Sequence, residues 1–531
     1  MRGYDGSGAV GRNTIPTYAG YEGLNAYYGD LHNHCDISYG HGGLETAFRN
    51  AREQLDFCSV TGHALWPDMP TPDPTIQYII DFHEAGFARL RQQWEAVQQT
   101  TAAFHRPGDF VTFLSFEMHG CADGDVTILY PGARGEILTV DGLPALQQRL
   151  RALHAQGVRA LAFPHHIGYK RGQRGINWDT FDAEVSPIVE IISMHGCSEA
   201  DEGPRPFLHV MGPADHASTM QAGLAQGHRF GVIGSTDHHS AYPGSYGHGR
   251  AGVWAEAKTR AALWDALWAR RTYALTGDRI ALRFAINGQP MGAALPAAQN
   301  DRREINVHVV GGAPIDYIDV VKNNALRWRL SRCDVARRRR AVAPARDSVR
   351  TKLFLEVGWG ERGVRADWDV RFGVSAGRVL MVEPRFRGPE VVAPTEVDAT
   401  QDDLPLSHWD RVGEREVQFQ TTTFGNPNNL TPAMQGMCLE VEVPLDAEVQ
   451  AEINGRRIAY PLTALLEGAR AGRLGKIASP AYRFHRAPRR WEFDWRFDLE
   501  DIGAPGDVYY VRVRQLNDQW AWSSPIWISG K

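Results

Sequence analysis

Cysteine is scarce. Six residues in a chain of 531, with no Cys-x-x-Cys pair among them, make neither a disulfide framework nor a thiolate zinc site. Cys35, Cys58, Cys121 and Cys197 fall within a few residues of candidate ligands and read as small buried fillers in a reducing compartment. An apolar run of about 18 residues is also missing, so no membrane-spanning helix is expected. The stretch Met1 to Gly8 lacks the apolar core of a signal peptide, and the expected location is the cytoplasm. Charge of one sign is lacking as well. With 57 basic and 62 acidic residues, a net charge of -5 and a pI near 6.5, nothing marks a nucleic-acid binder. The run Arg337–Arg340 reads as a solvated loop. Finally, no Gly-x-Ser-x-Gly elbow and no Walker loop occurs, which removes the usual signs of serine hydrolases and P-loop enzymes.

What is present is ordinary in bulk and uneven in detail. At 43% hydrophobic and 22% charged, the composition is that of a globular protein, and the length predicts two to four domains. Histidine breaks the pattern. Of 20 histidines, 17 lie at or before His248, which puts the chemistry in the N-terminal half.

Residues 1–26 are Gly-rich and read as a loosely held arm. The strand that follows ends in Asp30-Leu31-His32-Asn33-His34. Alternate residues of an extended chain point the same way, so His32 and His34 offer two imidazoles on one face, and imidazole is the commonest side-chain metal ligand. The pattern then recurs. Short apolar runs end in Thr61-Gly62-His63, Glu117-Met118-His119, Pro164-His165-His166, Ser193-Met194-His195 and Gly234-Ser235-Thr236-Asp237-His238-His239. Helices are predicted between them at 44–55, 75–99, 143–156, 216–225 and 260–270. Strands alternating with helices argue for a parallel sheet, and polar residues gathered at carboxyl ends argue for a βα barrel with its site at one mouth. From about Thr276 the texture changes to alternating strands with Gly, Asn and Pro turns, which predicts an all-β, sandwich-like domain over 276–531. Within it, 358–412 reads as long loops, and Trp491, Trp495, Trp520 and Trp522 as core.

These motifs in this order resemble the polymerase-and-histidinol-phosphatase (PHP) superfamily over residues 27–275. The resemblance implies an α/β chain: a distorted seven-stranded βα barrel of PHP type holding two or three metal ions, followed by the β domain. Carried over residue by residue, it implies that His32, His34, Glu117 and Asp237 hold one ion. Glu117 would bridge to a second that also takes His165, and His41, His63 and His239 would hold a third. His195, at a strand end, is an added candidate, and His238 is expected to point away. Gly62 stands where many members carry aspartate.

A mixed imidazole and carboxylate shell suits Zn, Mn or Fe. Such ions activate water and clamp the oxygens of an in-line displacement, so a metal-dependent hydrolase of small phosphate esters is expected, with a metal-bridging hydroxide as nucleophile and His166 as candidate general acid. Lys170, Arg171 and Arg174 follow His166 and are placed to hold a phosphate. Trp66 and Tyr242, with Tyr246 and His248, are placed to wall an apolar pocket, which leaves a carbamate, carboxyl ester or amide as the alternative. A non-catalytic binding module is the third possibility. No nucleic-acid or membrane partner is expected.

Overall fold

The computed structural model describes residues 18–297, 302–339, 348–389, 407–426 and 428–529. Its first half is built on β1 (Asn25–Asp30), α1 (Leu44–Gln54), β2 (Phe57–Leu65), α2 (Gln77–Phe104), β3 (Val111–Met118), β4 (Val126–Tyr130), α3 (Leu143–Ala155) and β5 (Leu161–Pro164). It continues with β6 (Ile188–Ser193), β7 (Gly196–Cys197), α4 (Met220–Ala225), β8 (Gly231–Gly234), β9 (Arg250–Ala255), α5 (Arg260–Trp268) and β10 (Thr272–Leu275). The strands β1, β2 and β3 are parallel and buried nearly throughout at β2 and β3, as a sheet covered on both faces must be. Helix α2 supplies one cover, burying Ile80, Phe87, Leu90 and Val97 along a helical stripe. The cover is close at Gly62, where a Cβ would lie 2.5 Å from Leu90 Cδ1. The position is glycine because the helix occupies the space.

Two features depart from a uniform parallel sheet. Strand β4 forms a hairpin with β3 and runs antiparallel to both β3 and β5, while β9 runs antiparallel to β1 and β10. The ladder is also interrupted. One sheet carries β10-β9-β1-β2-β3-β4-β5 and another carries β7-β6-β8, so β5 meets β6 without strand pairing. The protein is thus mixed α/β here, with two sheets abutting.

The second half is strand-rich and multi-sheet. Strand Trp520–Ser523 pairs with β10, and strands Val508–Gln515, Ile526–Ser529 and Ile315–Lys322 continue outward, so that one sheet of 13 strands crosses residue 275. Two five-stranded sheets share a core that includes Leu353, Trp368, Phe372, Phe419 and Leu439.

Three expectations are corrected. Tyr18 and Tyr21, within the arm, are buried with Trp254 and Phe284, and the Tyr21 hydroxyl donates to the Phe284 carbonyl at 2.8 Å; residues 1–17 lie outside the described residues. The segment 358–412 contains strands Arg365–Val374, Arg378–Arg385 and His408–Arg411, with 390–406 outside the described residues. Arg337 belongs to a helix, Arg332–Arg339, rather than a loop. Trp495, Trp520 and Trp522 are buried, and no helix among the described residues is long and apolar enough to cross a membrane.

Candidate metal centre

His32 and His34 leave the end of β1, His63 lies in β2, Glu117 in β3, His165 follows β5, and Asp237 and His239 follow β8. Register places His63 beside Glu117, and Asp237 N–H donates to the His32 carbonyl at 2.8 Å, stitching the first loop to the last. Asp30 reinforces this stitch. Its buried carboxylate accepts from Thr236 and from the Gly244 N–H.

The rings converge through Nε2. His32 Nε2 and His34 Nε2 are 3.1 Å apart, and His34 Nε2 is 3.0 Å from Asp237 Oδ1. Glu117 reaches two ways. Its Oε2 lies 3.3 Å from His32 Nε2 and 3.5 Å from His34 Nε2, while its Oε1 lies 3.3 Å from His165 Nε2 and 3.2 Å from His119 Nδ1. Donor atoms that share one ion at bonds of about 2.1 Å stand about 3.0–3.5 Å apart, so the spacing is that of coordinating groups.

The other ring nitrogens are tied down. His34 Nδ1 donates to the Thr61 carbonyl at 2.8 Å, His32 Nδ1 to Glu190 Oε2 at 2.9 Å, and His239 Nδ1 to the Asp237 carbonyl at 2.9 Å. Carbonyl and carboxylate only accept, which fixes each Nε2 as the lone-pair nitrogen a metal needs. His63 and His165 pair their Nδ1 atoms with Ser38 and Thr127 hydroxyls.

Electrostatics divide. Against burial, Asp237 and Glu190 raise the His32 imidazole well above its ordinary value, holding a proton that a bound cation would displace. Burial would raise the Glu117 carboxyl, but His165 and His63 hold it well below the carboxylate range. Burial would likewise raise Asp237, and His32 and His195 keep it low. Burial, with His32 adjacent, pulls His165 down to about 4, so the ring is neutral and available. Burial and His165 do the same for His166, to about 4. Glu117 Oε2 and His165 Nε2 are buried with no hydrogen-bond partner among the described residues. Leaving such atoms unmatched costs about 1–3 kcal/mol each, a cost that bound cations remove. The donor set therefore fits metal ions.

Among the described residues, five overlapping triads are of ligating size: His34/His63/His239, His32/His34/Asp237, His32/Glu117/His165, His63/Glu117/His119 and Asp125/His165/His166. His195 joins through Asp237, its Nε2 2.9 Å from Oδ2, and its Nδ1 is 2.6 Å from the Tyr169 hydroxyl. His41 enters none of these triads; its backbone N–H meets the His239 carbonyl, and its ring Nε2 is buried with no hydrogen-bond partner among the described residues. His238 turns away, its Nε2 3.1 Å from the Pro389 carbonyl.

The loop residues divide. Arg174 is drawn in against Asp125 and His119, with its guanidinium 5.3 Å from the Trp66 ring centre. Lys170 is exposed, and Arg171 pairs with Asp179 at the surface. Tyr242 is corrected to a packing residue: it is buried in the core of the C-terminal sheets, and its hydroxyl donates to Ser407. Sequence reasoning missed Glu190 and gave no role to Asp125. A lone carboxylate inside the apolar run Ile188–Ile192 was a usable signal, since a buried charge requires a partner.

A family model described as "Protein of unknown function (DUF3604)" matches residues 245–289. An uncharacterized protein of Chlamydia muridarum is 32% identical over 164 residues, 28% of this chain and 26% of that one. An uncharacterized protein of Chlamydia pneumoniae is 27% identical over 252 residues, 43% of this chain and 39% of that one. The chain thus spans well under half the length of these curated relatives. Among solved structures it is similar to a two-domain protein of Bacteroides vulgatus containing a predicted PHP-like metal-dependent phosphoesterase, at 14% identity and a TM-score of 0.31, over 58% of this chain and 81% of that one.

Proposed function

We propose that the protein is a metal-dependent hydrolase of small phosphate esters whose centre holds two or three divalent ions (Zn, Mn or Fe) in a PHP-like arrangement. The observation that carries this reading is Glu117, whose two oxygens face different sets of imidazoles. A carboxylate so placed is a bridge. His32, His34 and Asp237 would hold one ion, His165 and Glu117 a second, and His63 and His239 a third, with His119, Asp125 and His195 beside them. Bound divalent ions supply an activated water at neutral pH and neutralise charge on the substrate oxygens.

The protein's own groups do the rest. Glu190, Thr61 and the Asp237 carbonyl orient the rings. Arg174, whose guanidinium Asp125 holds in charged form, is positioned to engage a phosphate oxygen. His166 is the candidate proton donor to the leaving group: its Nε2 is 3.4 Å from Asp125 Oδ2, and its backbone is held at φ 33, a costly conformation that collects at functional sites. Trp66 covers Arg174 and narrows the approach. The six unpaired cysteines support a reducing compartment such as the cytoplasm.

One observation favours the alternative carbamate, carboxyl-ester or amide substrate: Arg174 is already paired with Asp125, which reduces its pull on an anion. Elemental analysis of the purified protein, with paired assays of an aryl phosphate and an aryl carbamate, tests both readings. We expect at least two divalent ions per chain and turnover of the phosphate. Protein that binds no such metal at neutral pH would refute the proposal.

A further inference from the structure

Beside the centre lies a cavity of about 770 Å³ between the first half and the C-terminal sheets, within the range of small-ligand sites. Its lining carries three guanidinium groups, of Arg205, Arg362 and Arg387, against one carboxylate, Asp518. Arg205 already claims that carboxylate and the Asp518 carbonyl, so among the described residues the lining offers no second acid to Arg362 or Arg387.

Arg387 is built into place. The Gln435 side chain accepts from its backbone N–H at 2.6 Å and donates to its carbonyl at 2.8 Å. Its Nη1 donates to the Tyr246 carbonyl at 2.6 Å, and its guanidinium stands 4.7 Å from the Tyr246 ring centre. Its Nε is buried with no partner among the described residues, as is Nδ1 of His248 in the same lining. Burial pulls the Arg387 guanidinium below its ordinary value, outweighing the opposing pull of Tyr246, Glu356 and Asp278. A buried donor on a rigid cation demands an acceptor, and the strongest matches to the guanidinium fork are phosphate and carboxylate.

The cavity adjoins the metal loops. Met194 lines it and immediately precedes His195. His248 stacks on His238, 5.6 Å between ring centres, and His238 lies between Asp237 and His239. We propose that this cavity is a binding site for an oxyanion, with Arg387 its principal contact, taking a second phosphate or carboxylate group that the substrate carries away from the ester to be cleaved, or the same anion free in solution. The substrate-borne form rests on the hydrolase reading; oxyanion binding itself does not.

The test is calorimetric titration of the full-length protein with inorganic phosphate, repeated in His32→Ala stripped of metal with a chelator to remove binding at the metal centre. We expect His32→Ala to retain phosphate binding and His32→Ala/Arg387→Gln to weaken it about tenfold or more. Arg362 is exposed, so His32→Ala/Arg362→Gln should stay folded and weaken binding about threefold. Unchanged affinity in both double variants, or no phosphate binding in folded His32→Ala, overturns the proposal. In the otherwise wild-type enzyme, Arg387→Gln assigns the source. A rise in KM at constant kcat for an aryl ester bearing a second phosphate, but not for the simple aryl phosphate, identifies the substrate-borne group; Arg387-dependent phosphate binding with both KM values unmoved identifies the free anion. Absence of any esterase activity alongside Arg387-dependent phosphate binding refutes the hydrolase and leaves the anion site standing.

Discussion

Glu190 Oε2 lies 2.9 Å from Nδ1 of His32, with both residues buried and Glu190 in the middle of β6. The carboxylate fixes the tautomer of the ring and raises its basicity, while its other oxygen accepts from the His166 N–H at 3.2 Å. Loss of such a partner costs about 10–100-fold in metal affinity. Glu190→Gln, which keeps the volume, should show that loss in a competitive chelator titration while its circular dichroism stays unchanged. Wild-type affinity would mean that Glu190 serves packing alone.

Glu117→Gln separates bridging from mere burial. The amide presents one acceptor in place of two, so the two sides of the centre lose their common ligand. We expect metal content to fall by at least one ion per chain and aryl phosphate turnover to fall about a hundredfold or more. A variant with full metal content and full activity removes Glu117 from the role given to it here.

Gly62 tests the packing of α2. Since a Cβ there would lie 2.5 Å from Leu90 Cδ1, Gly62→Ala should destabilise the protein by about 1–3 kcal/mol in urea unfolding. Leu90→Ala in the same chain opens the space, and the double variant should lose less than the two single losses combined. Strict additivity would place the clash elsewhere.

Stability should also carry a signature at low pH. Burial would raise the Asp494 carboxyl, but His308 Nε2 at 3.0 Å and Arg490 Nε at 2.9 Å outweigh it and hold it at about 2, below its ordinary 3.8. A folded-state value below the unfolded one contributes stability that is complete above about pH 4 and is lost as pH falls toward 2. Asp494→Asn should therefore cost about 1–3 kcal/mol at pH 6, and the gap from wild type should close between pH 4 and 2. A gap independent of pH would exclude the ion pair as its origin.

How much of this was legible in the sequence depends on how local each signal is. His32, His34 and Asp237 are announced by position, since each follows a short apolar strand and takes its role from where that strand ends. Glu190 and Asp125 are not. Glu190 sits within a strand and acquires meaning only from a ring 158 positions away. Asp125 precedes β4, whose antiparallel course brings its amino end to the same rim as Glu117. The strand Arg365–Val374 was hidden by its charges, although its polar and apolar residues alternate in burial. His41 stands apart from the ligating triads among the described residues, and its Gly-rich loop presents its backbone N–H to His239. One sheet takes strands from both sides of residue 275, a pairing that local patterning does not show, since it marks where strands are and not which sheet they join.

The ladder between β10 and Trp520–Ser523 bears on how the protein is made. During synthesis the His-rich half emerges from the ribosome some 245 residues before the strand that completes its edge, and until then β10 presents unpaired backbone to the cell. Assembly of the ligand rim would therefore wait on the tail, making the nascent N-terminal half a natural client for chaperones.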